Sequence, residues 1–253
     1  MSREVTDDLF FGGRLRLLQP RRGHRVGTDA ALLVAAARSR LSAEAVAADL
    51  GTGTGAVGLA LACAGAARVT LVEIDEDLAA LAAENIRRNG LEDRACASCA
   101  DVATLGTGRG PAEPSAGSCD LVVSNPPFDD EARFRLSPDA TKSRAHGATP
   151  GLLSEWAQAA NRLLRPGGAF VLIHRAEALG EVLDALENRF GDVRVLPVHP
   201  RADQPAARII VAARKARRGP LALLPGLVLH DADGAFTKRC EAAQRGETTF
   251  ALD

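Results

Sequence analysis

From about residue 46 onward, short continuous apolar runs alternate with longer stretches in which apolar residues recur every three or four positions. The runs lie at 45–50, 68–73, 119–124, 168–174, 193–198 and 207–213. Their lengths and their Val and Ile content predict buried strands. Between them, helical spacing covers 55–64, then 76–89 with Leu78, Leu81 and Ile86, then 149–164 ahead of a stop at Pro166-Gly167-Gly168. A further helix is predicted over 176–190, with Leu179, Leu183 and Leu186 on one face. Strand–helix alternation predicts an α/β fold, a mostly parallel, doubly wound sheet covered on both faces.

Three regions leave that rhythm. Residues 10–20 alternate apolar and basic positions, which predicts a hairpin, and an apolar helix follows over 31–37. Residues 106–118 are rich in Gly, Pro and Ser and read as a flexible surface loop, while 129–147 carry charges of both signs and are long enough to be functional. The tail is apolar over 221–230 and helix-like over 238–245, and is expected to pack across the domain. The expected organisation is one domain over 1–253: a hairpin segment (1–30), a core (45–215) and a packing tail (216–253).

A chain of 253 residues with 46% hydrophobic and 25% charged residues can bury a sizeable core without staples. Its net charge of −1 excludes a histone-like polyelectrolyte but not a local basic patch. Only Lys142, Lys215 and Lys238 are lysines, so the cations are nearly all arginine. No apolar run approaches the ~18 residues of a membrane span, and the N-terminus has no signal-peptide core. Cys96 and Cys99 form the only close cysteine pair, with no second pair to complete a zinc site. The expectation is free thiols in the reducing cytoplasm, with no metal.

The first core strand runs into Asp49-Leu50-Gly51-Thr52-Gly53-Thr54-Gly55-Ala56-Val57-Gly58. Glycines between a strand and a helix let the backbone turn sharply and approach a ligand. From Gly53 the segment also fits G-x-G-x-x-G, which suits NAD as well as other adenosine cofactors. Glu73 closes the next strand, before Ile74, and a carboxylate there can accept both hydroxyls of a ribose. Asp101, before Val102 and just past a third strand, is placed to accept from an adenine amino group. The alternative for each acid is a solvated loop residue or a helix cap. Together at successive strand ends, they point to an adenosine cofactor.

Asp49-x-Gly51-x-Gly53-x-Gly55, with Glu73 and Asp101, resembles the first motifs of the class I S-adenosylmethionine-dependent methyltransferases. The resemblance spans roughly residues 25–215. It implies a seven-stranded Rossmann-like sheet, S-adenosylmethionine as cofactor, and a cofactor site that includes Gly51, Gly53, Gly55, Glu73, Ile74, Asp101 and Val102. Asp49 departs from the dehydrogenase pattern and fits this one.

The fourth strand ends in Asn125-Pro126-Pro127-Phe128. Two prolines fix φ and carry the chain out of the sheet without backbone donors. Asn125 offers an acceptor and a donor on a short arm, and Phe128 offers a flat apolar face. Such a set suits a planar group bearing NH₂: the Asn125 amide oxygen and the Pro126 carbonyl each accept one N–H. A proline-stiffened turn is the structural alternative. The segment resembles the (Asp/Asn/Ser)-Pro-Pro-(Tyr/Phe/Trp) motif of amino-methyltransferases acting on adenine, guanine or glutamine amides.

The N-terminal part, through Gly27-Thr28-Asp29, resembles small methyltransferases that modify adenine N6 beside the anticodon of a valine tRNA. That resemblance implies an RNA partner, a tRNA as in the family, and places Gly27, Thr28 and Asp29 at the cofactor's methionine end. Thr28 or Asp29 capping the following helix is an equal alternative. Arg14, Arg16, Arg21, Arg22 and Arg25 form one basic cluster, and Arg208, Arg214, Lys215, Arg217 and Arg218 a second; both suit phosphates. Arg144 and His146 are candidate substrate contacts. Rival acceptors are glutamine N5 in protein and guanine N2 in ribosomal RNA, and the non-enzymatic rival is an inactive cofactor-binding scaffold.

Overall fold

The computed structural model of the protein describes residues 4–22, 25–110, 114–127 and 151–252. β1 (Val5–Phe10) and β2 (Leu15–Pro20) pair antiparallel as a separate hairpin. The core follows as α1 (Thr28–Ala37), β3 (Val46–Leu50), α2 (Ala56–Cys63), β4 (Arg68–Glu73), α3 (Glu76–Arg88), β5 (Ala95–Cys99) and β6 (Cys119–Ser124). It continues with α4 (Leu152–Leu163), β7 (Leu164–Arg175), α5 (Leu179–Leu186), β8 (Phe190–His199) and β9 (Arg208–Lys215). Two short strands, β10 (Ala222–Leu223) and β11 (Leu227–Val228), and α6 (Lys238–Gln244) complete the described chain.

The sheet order is β10-β8-β9-β7-β6-β3-β4-β5, with β11 also on β8. β3 to β7 run parallel, and β9 lies antiparallel between β7 and β8. The expected seven strands are present, extended by two short ones. One apolar layer joins α1, α2 and the hairpin's Phe11, Leu15 and Leu17 to Phe250 and Leu252 of the tail. The other lies under α4 and α5 and includes Trp156, Leu163, Val182 and Leu186. α1 and α2 are buried all round, which is why their sequences carry no polar face. α3 is amphipathic: Asp75 caps it by accepting from the Leu78 amide, and Leu78, Ala79, Ala82, Asn85 and Ile86 face inward.

Several boundaries differ from the sequence expectation. β7 begins at Leu164 and carries Pro166-Gly167-Gly168 within it, across a register shift opposite Cys119. The helix expected over 176–190 is a 3₁₀ turn followed by α5, and Phe190 opens β8. Its buried face is Val182, Ala185 and Leu186, leaving Leu179 and Leu183 half-buried. The hairpin's first strand begins at Val5 and ends at Phe10, and its turn falls at 11–14. Arg162 of α4 ties the loop expected to be flexible: its guanidinium donates to the Ala103 and Leu105 carbonyls, and its own carbonyl accepts from the Gly117 amide. Residues 129–147 lie outside the described residues.

Two asparagines, one on α3 and one capping its C-terminus, dock the hairpin. Asn85, fully buried, accepts from the Leu18 amide at 2.7 Å and donates to the carbonyls of Leu18 and Thr54 at 3.0 and 2.9 Å. One turn on, Asn89 accepts from the Arg16 amide and donates to the Arg16 carbonyl, both at 2.9 Å. Their side-chain amides thus replace a neighbouring strand along the free edge of β2.

Candidate active site

Register brings the singled-out residues together. Leu50 of β3 pairs with Val72 of β4 on one side and Ser124 of β6 on the other. The next residues, Gly51, Glu73 and Asn125, therefore emerge at one level of the same sheet edge. Glu73 pairs in turn with Cys99 of β5, which puts Asp101 two residues beyond. β3 is also where the winding reverses, the place at which open parallel sheets bind ligands.

Asp49 is 2% exposed, and its Oδ2 accepts from Thr52 Oγ1 at 2.5 Å and from the Gly58 amide at 2.9 Å. Burial pushes its carboxyl up to about 7; those two hydrogen bonds oppose the shift and the charge of Glu73 adds to it. Glu73, also 2% exposed, accepts from the Gly53 amide with one oxygen and from the Ile74 and Asp75 amides with the other. It shapes the Gly-rich turn as well as facing the cleft, and a carboxylate's four lone-pair sites leave it capacity for a ligand. Asp101 is exposed; it caps the turn at Val102–Thr104 by accepting from the Ala103 amide.

The turn itself requires glycine at two points. Gly51 has φ +67°, and a Cβ there would sit 2.4 Å from the Trp156 ring. Gly55, φ +95°, ends the turn in the left-handed region immediately before α2.

Two adjoining clefts follow this edge. One, about 270 Å³, is lined by Gly27, Thr28, Asp29, Asp49, Gly51–Thr54 and Asn125 to Pro127. The other, about 150 Å³, is lined by Glu73, Ile74, Asp101, Val102, Leu152 and Trp156, and shares Gly51 and Pro127 with the first. Ile74 is 45% exposed there, an apolar surface for a flat ring. Asn125 Oδ1 is buried yet has no hydrogen-bond partner among the described residues. Gly55 is not among the residues lining either cleft.

The capping alternative for Thr28 and Asp29 is not what α1 uses. Its N-cap is Gly27, with no side-chain cap, and Asp29 instead accepts from Arg208 Nε of β9 at 2.9 Å. Sequence reasoning missed Arg208 in this place, and also Leu152, Glu155 and Trp156. Those three come from α4, whose helical spacing marked it only as a core element.

The first basic cluster is less free than its sequence implies. Arg14 stacks on the Phe11 ring and donates to the Arg245 and Gly246 carbonyls at 2.8 and 3.0 Å, holding the end of α6. Arg16 and Arg25 pair with Asp7 and Asp8 at 2.8 and 2.7 Å, and Arg21 with Glu4 at 3.4 Å. Arg22 is exposed. In the second cluster Lys215 donates to the Asn161 and Leu164 carbonyls, capping α4. Phe128, Arg144 and His146 lie outside the described residues.

A parallel Rossmann-like sheet with a glycine turn, two strand-end acids and an Asn-Pro-Pro turn at the switch point defines a class I methyltransferase. Residues 24–200 match the methyltransferase small domain, and the chain belongs to that family. It is 31% identical over 220 residues to the tRNA1(Val) (adenine(37)-N6)-methyltransferase of Serratia proteamaculans, covering 84% of this chain and 79% of the relative. It is 29% identical over 144 residues to the release factor glutamine methyltransferase of Chlorobaculum tepidum, covering 54% of this chain and 48% of that relative. Among solved structures, a predicted O-methyltransferase from Agrobacterium tumefaciens superposes with TM-score 0.71 at 27% identity, covering 88% of this chain and 98% of the other. The fold also matches the 16S rRNA N2 G1207 methyltransferase of T. thermophilus, solved with AdoMet and guanosine, at TM-score 0.58 and 24% identity over 84% of this chain and 50% of that one.

The protein is accordingly an S-adenosylmethionine-dependent methyltransferase. Its residues fit the cofactor: the buried carboxylates of Asp49 and Glu73 line the clefts, Gly51 lines both, and Asn125 has a buried acceptor without a partner among the described residues in the larger one.

Proposed function

We propose that this protein methylates an exocyclic amino group, adenine N6 in a tRNA, and that its site works by orientation and charge stabilisation. The observation that carries the reading is the Asn125 amide oxygen, buried without a partner among the described residues, beside Pro126 and Pro127 in the larger cleft. A buried acceptor left unmet costs about 1–3 kcal/mol, which a substrate N–H recovers. S-adenosylmethionine, when bound, supplies an activated methyl group carried on a positively charged sulfur. Gly27, Thr28, Asp29, Asp49 and the turn at Gly51 and Gly53 are assigned to its methionine end, with Gly55 closing the turn behind them. Glu73, Ile74, Asp101 and Val102 are assigned to its adenosine end.

Asn125 Oδ1 and the Pro126 carbonyl take the two amino hydrogens and direct the nitrogen lone pair across the cleft. As that nitrogen gains positive charge, both acceptors hold it more strongly than in the ground state, which is the form of binding that accelerates a reaction. No strong base is needed. Phe128 is assigned, by its place in the motif, to stack on the acceptor ring. The RNA reading is supported by the relative that modifies valine tRNA and covers most of the chain.

A transfer assay tests this. The protein is incubated with labelled S-adenosylmethionine and, separately, unmodified tRNA, ribosomal RNA and total cell protein, and the products are digested for mass spectrometry. N6-methyladenosine in tRNA is expected. Methylglutamine in protein, or N2-methylguanosine in ribosomal RNA, overturns the acceptor while keeping the site.

A further inference from the structure

Beside the cofactor cleft lies a groove of about 430 Å³ to which neither the fold nor the chemistry above gives a role. Its walls come from the hairpin (Leu9, Phe10), from the tail (Phe236, Gln244), and from Val26 to Thr28. Val26, Gly27 and Thr28 also line the cofactor cleft, so one thin segment of chain separates the two. The groove has the volume of small-molecule sites, ~300–1,000 Å³.

Three features mark it as more than a seam between hairpin and tail. Leu9 is 71% exposed on its rim, although the seam would bury it by closing. Phe236 is held in place by stacking on His230, with ring centroids 4.5 Å apart. Gln244, in the groove wall, has a buried Nε2 with no acceptor among the described residues. Flat apolar side chains together with one unmet amide donor suit a heteroaromatic ring that carries an acceptor on its edge.

We propose that this groove receives an unstacked nucleobase adjacent in the RNA strand to the methylated nucleotide. Gln244 donates to the edge of that base, and Leu9, Phe10 and Phe236 cover its faces. The inference rests on the reading that the acceptor is an RNA. It deepens that reading by giving the substrate a second contact: a neighbouring base, held outside the cofactor cleft, sets the acceptor's position within it. Sequence-tolerant stacking fixes the register, while Gln244 favours bases with an acceptor on the exposed edge.

Two variants test it, Leu9→Asp at the exposed rim and Gln244→Leu in the wall, with transcribed unmodified valine tRNA as the probe. KM for this tRNA should rise about 5-fold or more in each, the lower end of a lost base-stacking contact. Turnover at saturating RNA should stay near that of the parent protein. S-adenosylmethionine affinity, read from the fluorescence of the single tryptophan, Trp156, and the melting temperature should be unchanged. In a series of tRNAs with single abasic sites in the anticodon loop, one neighbouring position should raise KM for the parent and abolish the further penalty of the variants. Unchanged KM in both variants, with the parent active on tRNA, overturns the groove and leaves the acceptor assignment standing. So does a penalty that persists on every abasic substrate. A parent protein that methylates protein and no RNA overturns the acceptor assignment, and the groove's occupant with it.

Discussion

At the scale of single residues, the site concentrates buried charge on Asp49. Its carboxyl stands near 7, raised chiefly by burial. A raised acid pKa means that the folded protein holds this proton more tightly than the unfolded chain does. The stability gained is complete below the unfolded value near 3.8 and is lost as pH climbs through about 7. The stability difference between the parent and Asp49→Asn should therefore change by about 1.4 kcal/mol per pH unit between roughly pH 4 and pH 7, and level off above. Urea titrations of both proteins across that range would show it; parallel curves would mean that Asp49 ionises normally. Asn125 answers to a different readout. Asn125→Ala should keep cofactor affinity and lose about 10²-fold or more in turnover, as for a contact made in the transition state. Comparable turnover in a transfer assay would remove its assigned role. Asp49, Gly51, Glu73 and Asn125 were legible in the sequence because each stands at a strand end beside a turn signal. The Trp156 ring against Gly51 was not, since it depends on how α4 lies across the sheet.

At the scale of elements, strands buried on both faces announce themselves as apolar runs, and β3, β4, β6 and β9 were read within a residue or two of their ends. β5, Ala-Cys-Ala-Ser-Cys, was implied only by the acid after it. It is the edge strand, half open to solvent, and its small residues carry no apolar run. The docking of the hairpin onto α3 was equally silent, because Asn85 and Asn89 look like ordinary polar positions on an amphipathic helix. The full burial of Asn85 shows the difference. Asn85→Ala strands the Leu18 amide and carbonyl and the Thr54 carbonyl and should cost on the order of 3 kcal/mol. Asn89→Ala, whose bonds to Arg16 face solvent, should cost about 1 kcal/mol. Denaturant midpoints at constant slope would measure both. Equal, small losses would mean that water replaces the Asn85 amide. Because Thr54 belongs to the Gly-rich turn, the Asn85 variant should also weaken S-adenosylmethionine binding, which ties the hairpin's docking to the cofactor site.

At the scale of the whole molecule, charge counted along the chain and charge displayed in space diverge. Five arginines between positions 14 and 25 read as a phosphate-binding stretch, yet three of them, Arg16, Arg21 and Arg25, are opposed by Asp7 and Asp8 of β1 and by Glu4 just before it. Strand pairing creates that neutralisation, setting Asp7 against Leu18 and Asp8 against Leu17, so it is invisible until the hairpin's register is known. Asp7 holds two guanidinium groups, accepting from Arg16 at 2.8 Å and from Arg88 at 2.5 Å. Exposed pairs of this kind contribute little to stability, about 0–1 kcal/mol, and a phosphate can compete for their arginines. If the hairpin lies along the RNA path, Asp7→Asn releases two guanidinium groups toward the backbone at small cost to the fold. RNA should then bind more tightly at low salt, and each new phosphate contact should steepen the fall of log affinity with log salt by about 0.7 for single-stranded RNA. Titrations of tRNA at several KCl concentrations, parent against variant, separate the two terms. A steeper slope with unchanged S-adenosylmethionine affinity puts the hairpin against RNA. An identical slope takes this face out of the RNA path and leaves the clefts and the groove beside them to hold the substrate.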